Sequence, residues 1–104
     1  MKVCILGAGS LGSTIGGALA QAGNEVHFVG RAPHMNAINE NGLVMVTPTG
    51  EELAHPVGHT VPDGIGPVDL VIVLCKAFDT AHTIEEASEL VGSDTVVMSL
   101  QNGL

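Results

Sequence analysis

The sequence predicts an α/β domain, a doubly wound and mainly parallel sheet with helices on both faces. Short, continuous apolar runs, the pattern of strands buried on two faces, alternate with segments of helical period. A glycine-rich turn joins the first such run directly to the first helical segment. The chain has 104 residues, 45% hydrophobic and 13% charged, which is one domain's worth of polypeptide with enough apolar side chains for a core.

Each element follows from its own residues. Residues 3–6 (VCIL) form a strand that stops at Gly7. Leu11, Ile15, Leu19 and Ala22 then recur at helical spacing, and Gly23 stands where a C-cap glycine belongs. Residues 25–29 read as a second strand and 33–41 as a short helix, with Pro33 in its first turn, Ile38 as a core contact and Gly42 as its stop. Residues 43–47 are a third strand, after which Pro48, Thr49 and Gly50 turn the chain back on itself. Pro56, Pro62 and Pro67 with Gly58, Gly64 and Gly66 interrupt every period, so 51–67 read as loop with one or two short extended pieces. Residues 69–74 are the clearest strand. Thr80, Ile84, Ala87 and Val91 mark one face of a further helix ended by Gly92, and 95–100 form the fifth main strand.

Three basic residues stand against eleven acidic ones, a formal net charge of -8. A nucleic-acid face needs cations to neutralise phosphates, and a basic membrane-surface helix needs them too, so neither partner is expected. The apolar run 70–75 is far below the roughly 18 residues of a membrane span. The run 3–6, broken at once by glycines, is too short for a secretory leader. Cys4 and Cys75 lie inside apolar runs and read as small hydrophobes of a reduced, cytoplasmic protein. Any anionic ligand must therefore rely on backbone N–H groups, helix dipoles and the few cations Lys2, Arg31 and Lys76.

Gly7, Ala8, Gly9, Ser10, Leu11 and Gly12 spell G-x-G-x-x-G between a strand and a helix. In that place the first glycine permits a tight turn, the second lets the backbone approach a pyrophosphate, and the third lets the helix pack on the sheet. Gly16 and Gly17, costly in a helix, suit the same close packing. The plain alternative is a glycine turn with no ligand. A site for NAD would place a carboxylate at the end of the second strand; here stand Val29, Gly30 and Arg31, with no acid, room at the glycine and a guanidinium fork suited to a 2′-phosphate. Elsewhere such an arginine would be a solvated loop residue. Lys76 follows the fourth main strand and Asn102 the fifth, both at the carboxyl ends where ligands of such sheets bind, although surface exposure and turn chemistry would also account for them. His55 and His59 have a metal-ligand spacing but enclose Pro56 and Gly58, so no metal is expected.

With these positions the chain resembles the N-terminal part of the ketopantoate reductases (2-dehydropantoate 2-reductases), NADPH-dependent oxidoreductases of pantothenate and coenzyme A biosynthesis. The blocks that match, in order, are residues 1–12, the strand end Val29, Gly30, Arg31, and the pair formed by 73–80 (VLCKAFDT) and 99–104 (SLQNGL). Many dehydrogenases share the first block; the last two together are far more specific. The resemblance implies a Rossmann-like fold with the glycine loop on the pyrophosphate of NADP(H), Arg31 on its 2′-phosphate, Lys76 on the nucleotide near the active site, and Asn102 where nicotinamide and substrate meet. It covers only the leading part of a family member, whose catalytic lysine and acidic substrate-binding residue belong to a downstream, largely helical domain. Residues 1–104 are thus expected to be an incomplete nucleotide-binding domain, truncated after the fifth main strand, without a catalytic residue and inactive by itself. Ketopantoate would bind only with the missing domain supplied, and a second copy is expected at an exposed sheet edge. The alternatives are a stand-alone NADP(H)-binding or sensing module, or part of a reductase for another 2-ketoacid.

Overall fold

In the computed structural model, the structure describes residues 1–7, 10–62, 64–74 and 88–99. Strand β1 (Lys2–Leu6) is apolar at Val3, Cys4, Ile5 and Leu6, all of them at most 1% exposed. A strand apolar on both faces must be central, and β1 pairs in parallel with β2 (Glu25–Val29) on one side and β6 (Val68–Val73) on the other. Beyond β2 lies β5 (Val57–His59) and beyond β6 lies β7 (Val91–Ser99), giving a five-stranded parallel sheet in the order β5-β2-β1-β6-β7.

Side-chain alternation divides the core between the two faces. Val3, Ile5, Val26, Phe28 and Ile72 point to one face, where Met35 and Ile38 of α2 (Ala32–Asn41) are buried with them and Ile15 and Leu19 of α1 (Ser10–Gln21) pack against them. Cys4, Leu6, Val71 and Val73 point to the other, together with Ile65 and Leu90. Burial there pushes the Cys4 thiol up to about 12, against a smaller opposing pull from the Lys2 charge, so it is an inert apolar group. Both α-helices among the described residues lie on the first face, whereas a single 3-10 turn, Ser88–Leu90, places Leu90 on the second. Of the helix expected over 80–91, residues 80–87 lie outside the described residues and 88–90 form the 3-10 turn.

Several expectations change. Residues 43–47 do form a strand, β3 (Leu43–Thr47), and the chain does reverse at Pro48 and Thr49, but β3 pairs antiparallel with β4 (Gly50–Ala54) in a separate two-stranded sheet. This hairpin packs over α1: a Cβ at Gly17 would collide with the Met45 thioether, so Gly17 makes room for the hairpin rather than for the main sheet. The main-sheet edge goes instead to β5, one of the short extended pieces of 51–67. Val91 and Gly92 belong to β7 and not to a helix end. Val91 pairs with Val68, regular pairing resumes only at Leu70 with Val96, and the Thr95 hydroxyl holds the intervening bulge by accepting from Gly92 N–H (2.8 Å) and donating to Val68 O (2.5 Å). No helix among the described residues is long and apolar enough to cross a membrane.

Candidate functional site

The strand order locates the site. From β1 the chain passes through α1 to β2 on one side, and only after α2, the hairpin and β5 does it return to β6 on the other. The direction of winding reverses between β1 and β6, and a ligand of such a sheet sits outside the carboxyl ends at that reversal. Backbone hydrogen bonds align those ends: Gly7 N–H donates to Val29 O, Leu74 N–H to Leu6 O and Gly30 N–H to His59 O, each at 2.9 Å.

Gly7 leaves β1 with φ 96°, a conformation that favours glycine, so the first residue of the motif makes the sharp turn assigned to it. Gly12 fulfils the third role: a Cβ there would lie 3.0 Å from Gly7 O and 3.1 Å from Leu74 Cδ1, so α1 approaches the turn and the end of β6 only because the side chain is absent. Gly16 continues the contact, since a Cβ would collide with Phe28 Cζ and lie 2.7 Å from Phe28 Cε1 and 2.9 Å from Ile5 Cδ1. α1 opens at Ser10 with no acidic residue in its first turn, which leaves the positive end of its dipole unopposed by carboxylates of its own.

Arg31 is the N-cap residue of α2, extended at φ -73° and ψ 145°, and its carbonyl accepts from Met35 N–H at 3.0 Å. Its side chain is exposed, makes no capping bond, and forms no ion pair among the described residues. Lys2 differs. It starts β1 at the opposite end of the strand, where its ammonium donates to Ile65 O at 2.6 Å and lies 3.9 Å from Glu25. In so acidic a chain, an arginine left without a carboxylate partner among the described residues, beside the glycine turn, is a cation open to an anionic ligand.

The structure thus brings Gly7, Gly12 and Arg31 to one edge of the sheet, with Ser10 and Leu11 in the first turn of α1 by their backbone. Ala8, Gly9, Lys76 and Asn102 lie outside the described residues. Sequence reasoning missed two residues that brace this edge. Asn39 donates to Gly58 O at 3.0 Å and accepts from Gly58 N–H at 2.7 Å, so its amide occupies the open side of β5 as a neighbouring strand would. His59, weighed in the sequence only against His55, instead meets His27 across the strands at 2.9 Å. Neither contact had a local signal. A cleft of about 310 Å³ between α1 and β3, lined by Ser13, Thr14, Leu43, Val44, Met45 and Val46, receives nothing from the main-sheet strand ends.

A glycine turn opening a helix at the winding reversal of a parallel sheet defines the class, a Rossmann-like α/β fold. The sequence model of the ketopantoate reductase PanE/ApbA family matches residues 3–104, and the chain belongs to that family. The 2-dehydropantoate 2-reductase of Pyrococcus horikoshii is 40% identical over 104 residues, covering 100% of this chain and 34% of that protein. The crystal structure of the PanE/ApbA family ketopantoate reductase from Ralstonia eutropha JMP134 superposes with a TM-score of 0.86 at 36% identity, over 99% of this chain and 35% of that one. D-mandelate dehydrogenase, in a ternary structure with NADH and anilino(oxo)acetate, superposes at 0.82 with 34% identity, over 100% of this chain and 34% of that one. The chain therefore spans about a third of the length of the relatives it matches.

Proposed function

We propose that residues 1–104 are the NADP(H)-binding portion of a 2-dehydropantoate 2-reductase, the whole protein reducing ketopantoate to pantoate with NADPH in pantothenate and coenzyme A biosynthesis. The observation that carries the cofactor is Arg31, exposed, free of ion pairs among the described residues, and placed where β2 ends without a carboxylate. The residues present fit the dinucleotide: the Gly7 turn and the N-terminus of α1 for the pyrophosphate, Arg31 for the 2′-phosphate. Ala8, Gly9, Ser10, Leu11 and Gly12 complete the loop by sequence, Lys76 follows β6 and takes the nucleotide, and Asn102 follows β7 and takes the region between nicotinamide and substrate.

The bound cofactor supplies hydride; this chain's residues bind and orient it. No residue of the chain is assigned as catalytic, because reduction also needs a ketoacid and a proton donor held beside the nicotinamide. Titration of the purified chain with NADPH and NADH, followed by cofactor fluorescence in a protein without Trp or Tyr, tests the assignment. Tighter binding of NADPH supports it and equal affinities overturn it. Steady NADPH consumption with ketopantoate by the chain alone would overturn the assignment of catalysis to the rest of the protein.

A second reading, the same portion of a reductase for another 2-ketoacid, is favoured by the likeness to D-mandelate dehydrogenase. Substrate choice lies with the remainder of such a protein, and the NADPH-to-NADH ratio separates the two cofactor uses. Self-association is supported at β7, the outer strand opposite β5, where Val96 is 60% exposed and Val97 and Met98 about as open as each other. A cytoplasmic location agrees with the free thiol of Cys4.

A further inference from the structure

On the sheet face opposite α1 and α2, a row of polar side chains crosses from β2 to β5. Glu25 and His27 alternate with Val26 and Phe28, which belong to the helix-covered core, and His59 is in register with Val29. Glu25 Oε2 lies 2.7 Å from His27 Nε2, and His27 Nδ1 lies 2.9 Å from His59 Nε2, the two rings tilted by 30° with centroids 5.1 Å apart. The other groups on this row among the described residues are Lys2, 3.9 Å from Glu25, with its backbone N–H donating to Asp69, the amino terminus, which acts on Glu25, and the protonated thiol of Cys4, in register with His27. Val57, in register with His27 on the other side, carries no charge, and α2 packs on the opposite face.

The hydrogen-bond inventory allows few protonation states. A carboxylate only accepts, so His27 Nε2 carries a hydrogen. His27 Nδ1 then either accepts from His59 Nε2–H, both rings neutral, or takes one added proton and donates to His59 Nε2. Both states keep the bond. A second proton sets N–H against N–H at 2.9 Å, and the bond breaks. We propose that Glu25, His27 and His59 form a proton-controlled latch on edge strand β5, closed with no more than one proton added to the imidazole pair and open with two.

The latch reaches the nucleotide edge directly. β5 has three residues, and its last carbonyl, on His59, accepts the N–H of Gly30, the residue before Arg31. Opening therefore loosens the joint that presents Arg31; its consequence for NADPH rests on the reading above, whereas the latch does not. Burial, and then the neighbouring His27, hold His59 below the ordinary imidazole value, and the His27 hydrogen bond is the main cause holding Glu25 below the ordinary carboxylate value. Both groups thus bind protons less readily folded than unfolded. Stabilisation by His59 is complete above about pH 6.5 and is lost as pH falls through its lowered folded value, with a further loss from Glu25 starting near pH 4.5.

Amide exchange by ¹⁵N NMR on the 104-residue chain between pH 8 and 5, corrected for intrinsic exchange, tests the latch without nucleotide. Opening linked to one proton lowers protection of the Gly30 amide by up to about tenfold per pH unit as pH falls from about 6.5 towards the second protonation step, while Ile5 in β1 holds. In His59→Gln, or in His27→Gln if the first variant does not fold, the profile is flat. A flat wild-type profile, or an equal acid loss in the variant, overturns the latch and leaves the Arg31 assignment to its own titration.

Discussion

Gly16→Ala measures how closely α1 is seated on the sheet. The new Cβ would collide with Phe28 Cζ and stand 2.7 Å from Phe28 Cε1 and 2.9 Å from Ile5 Cδ1, where carbon atoms prefer about 3.5–4.0 Å. Phe28 and Ile5 are both 0% exposed, so no free surface lets the ring swing away and α1 must rise instead. Alanine gains about 1 kcal/mol of helix propensity over glycine, and overpacking costs about 1–3 kcal/mol. With an aromatic ring at the contact the upper end applies, and the net loss is about 2 kcal/mol. At a urea slope of about 1–2 kcal/mol per molar, the midpoint falls by about 1–2 M. Far-UV circular dichroism is the readout, since the chain has no Trp or Tyr. Gly23→Ala is the control: its φ of +97° with nothing within 4 Å costs only backbone strain, about 1–2 kcal/mol. A Gly16→Ala variant as stable as wild type, or more so, would show that helix propensity alone governs the site and that α1 is not seated where described.

Gly12→Ala should leave stability within about 1 kcal/mol, the helix gain offsetting the contact, yet weaken NADPH binding about tenfold because the Gly7 carbonyl must move; unchanged affinity would separate the turn from the pyrophosphate. Cys4, buried and with its thiol pushed up to about 12, should escape iodoacetamide at pH 8 until the chain is unfolded in urea, as peptide mass mapping would reveal; labelling at the native rate of an exposed thiol would contradict its place in the core. Asn39→Ala strips both backbone partners from Gly58, so a loss of about 1–2 kcal/mol and concentration-dependent association by sedimentation are expected, and a monomer of unaltered stability would mean that the amide does not guard the β5 edge.

Local chemistry was readable and distant pairing was not. The glycine turn, the cap at Gly42 and the helix start at Pro33 declare themselves within a few residues, and the structure has each in place. The strand at β3 was equally plain, but its partner was not, because Val44 and Val46 look like buried strand residues and yet are 56% and 82% exposed on the outside of a hairpin. β5 is too short to display a period. Val91 continued a helical spacing that pairing with Val68 overrides. The braces at Asn39–Gly58 and His27–His59 span 19 and 32 residues, a separation at which sequence pattern carries no contact information. Within the candidate site the same division holds: Gly7, Gly12 and Arg31 follow from position at strand ends, whereas the freedom of Arg31 from carboxylates among the described residues appears only once Glu25 is seen facing Lys2 and His27.

The central claim is that Arg31 reads a 2′-phosphate. Dissociation constants of NADPH and NADH for wild type and Arg31→Ala form a cycle in which only the 2′-phosphate and the guanidinium change. A charge-assisted contact is worth about 1.5–3 kcal/mol, so the substitution should weaken NADPH by about 10- to 150-fold while leaving NADH within twofold. Equal loss for both cofactors, or none for NADPH, would contradict the account.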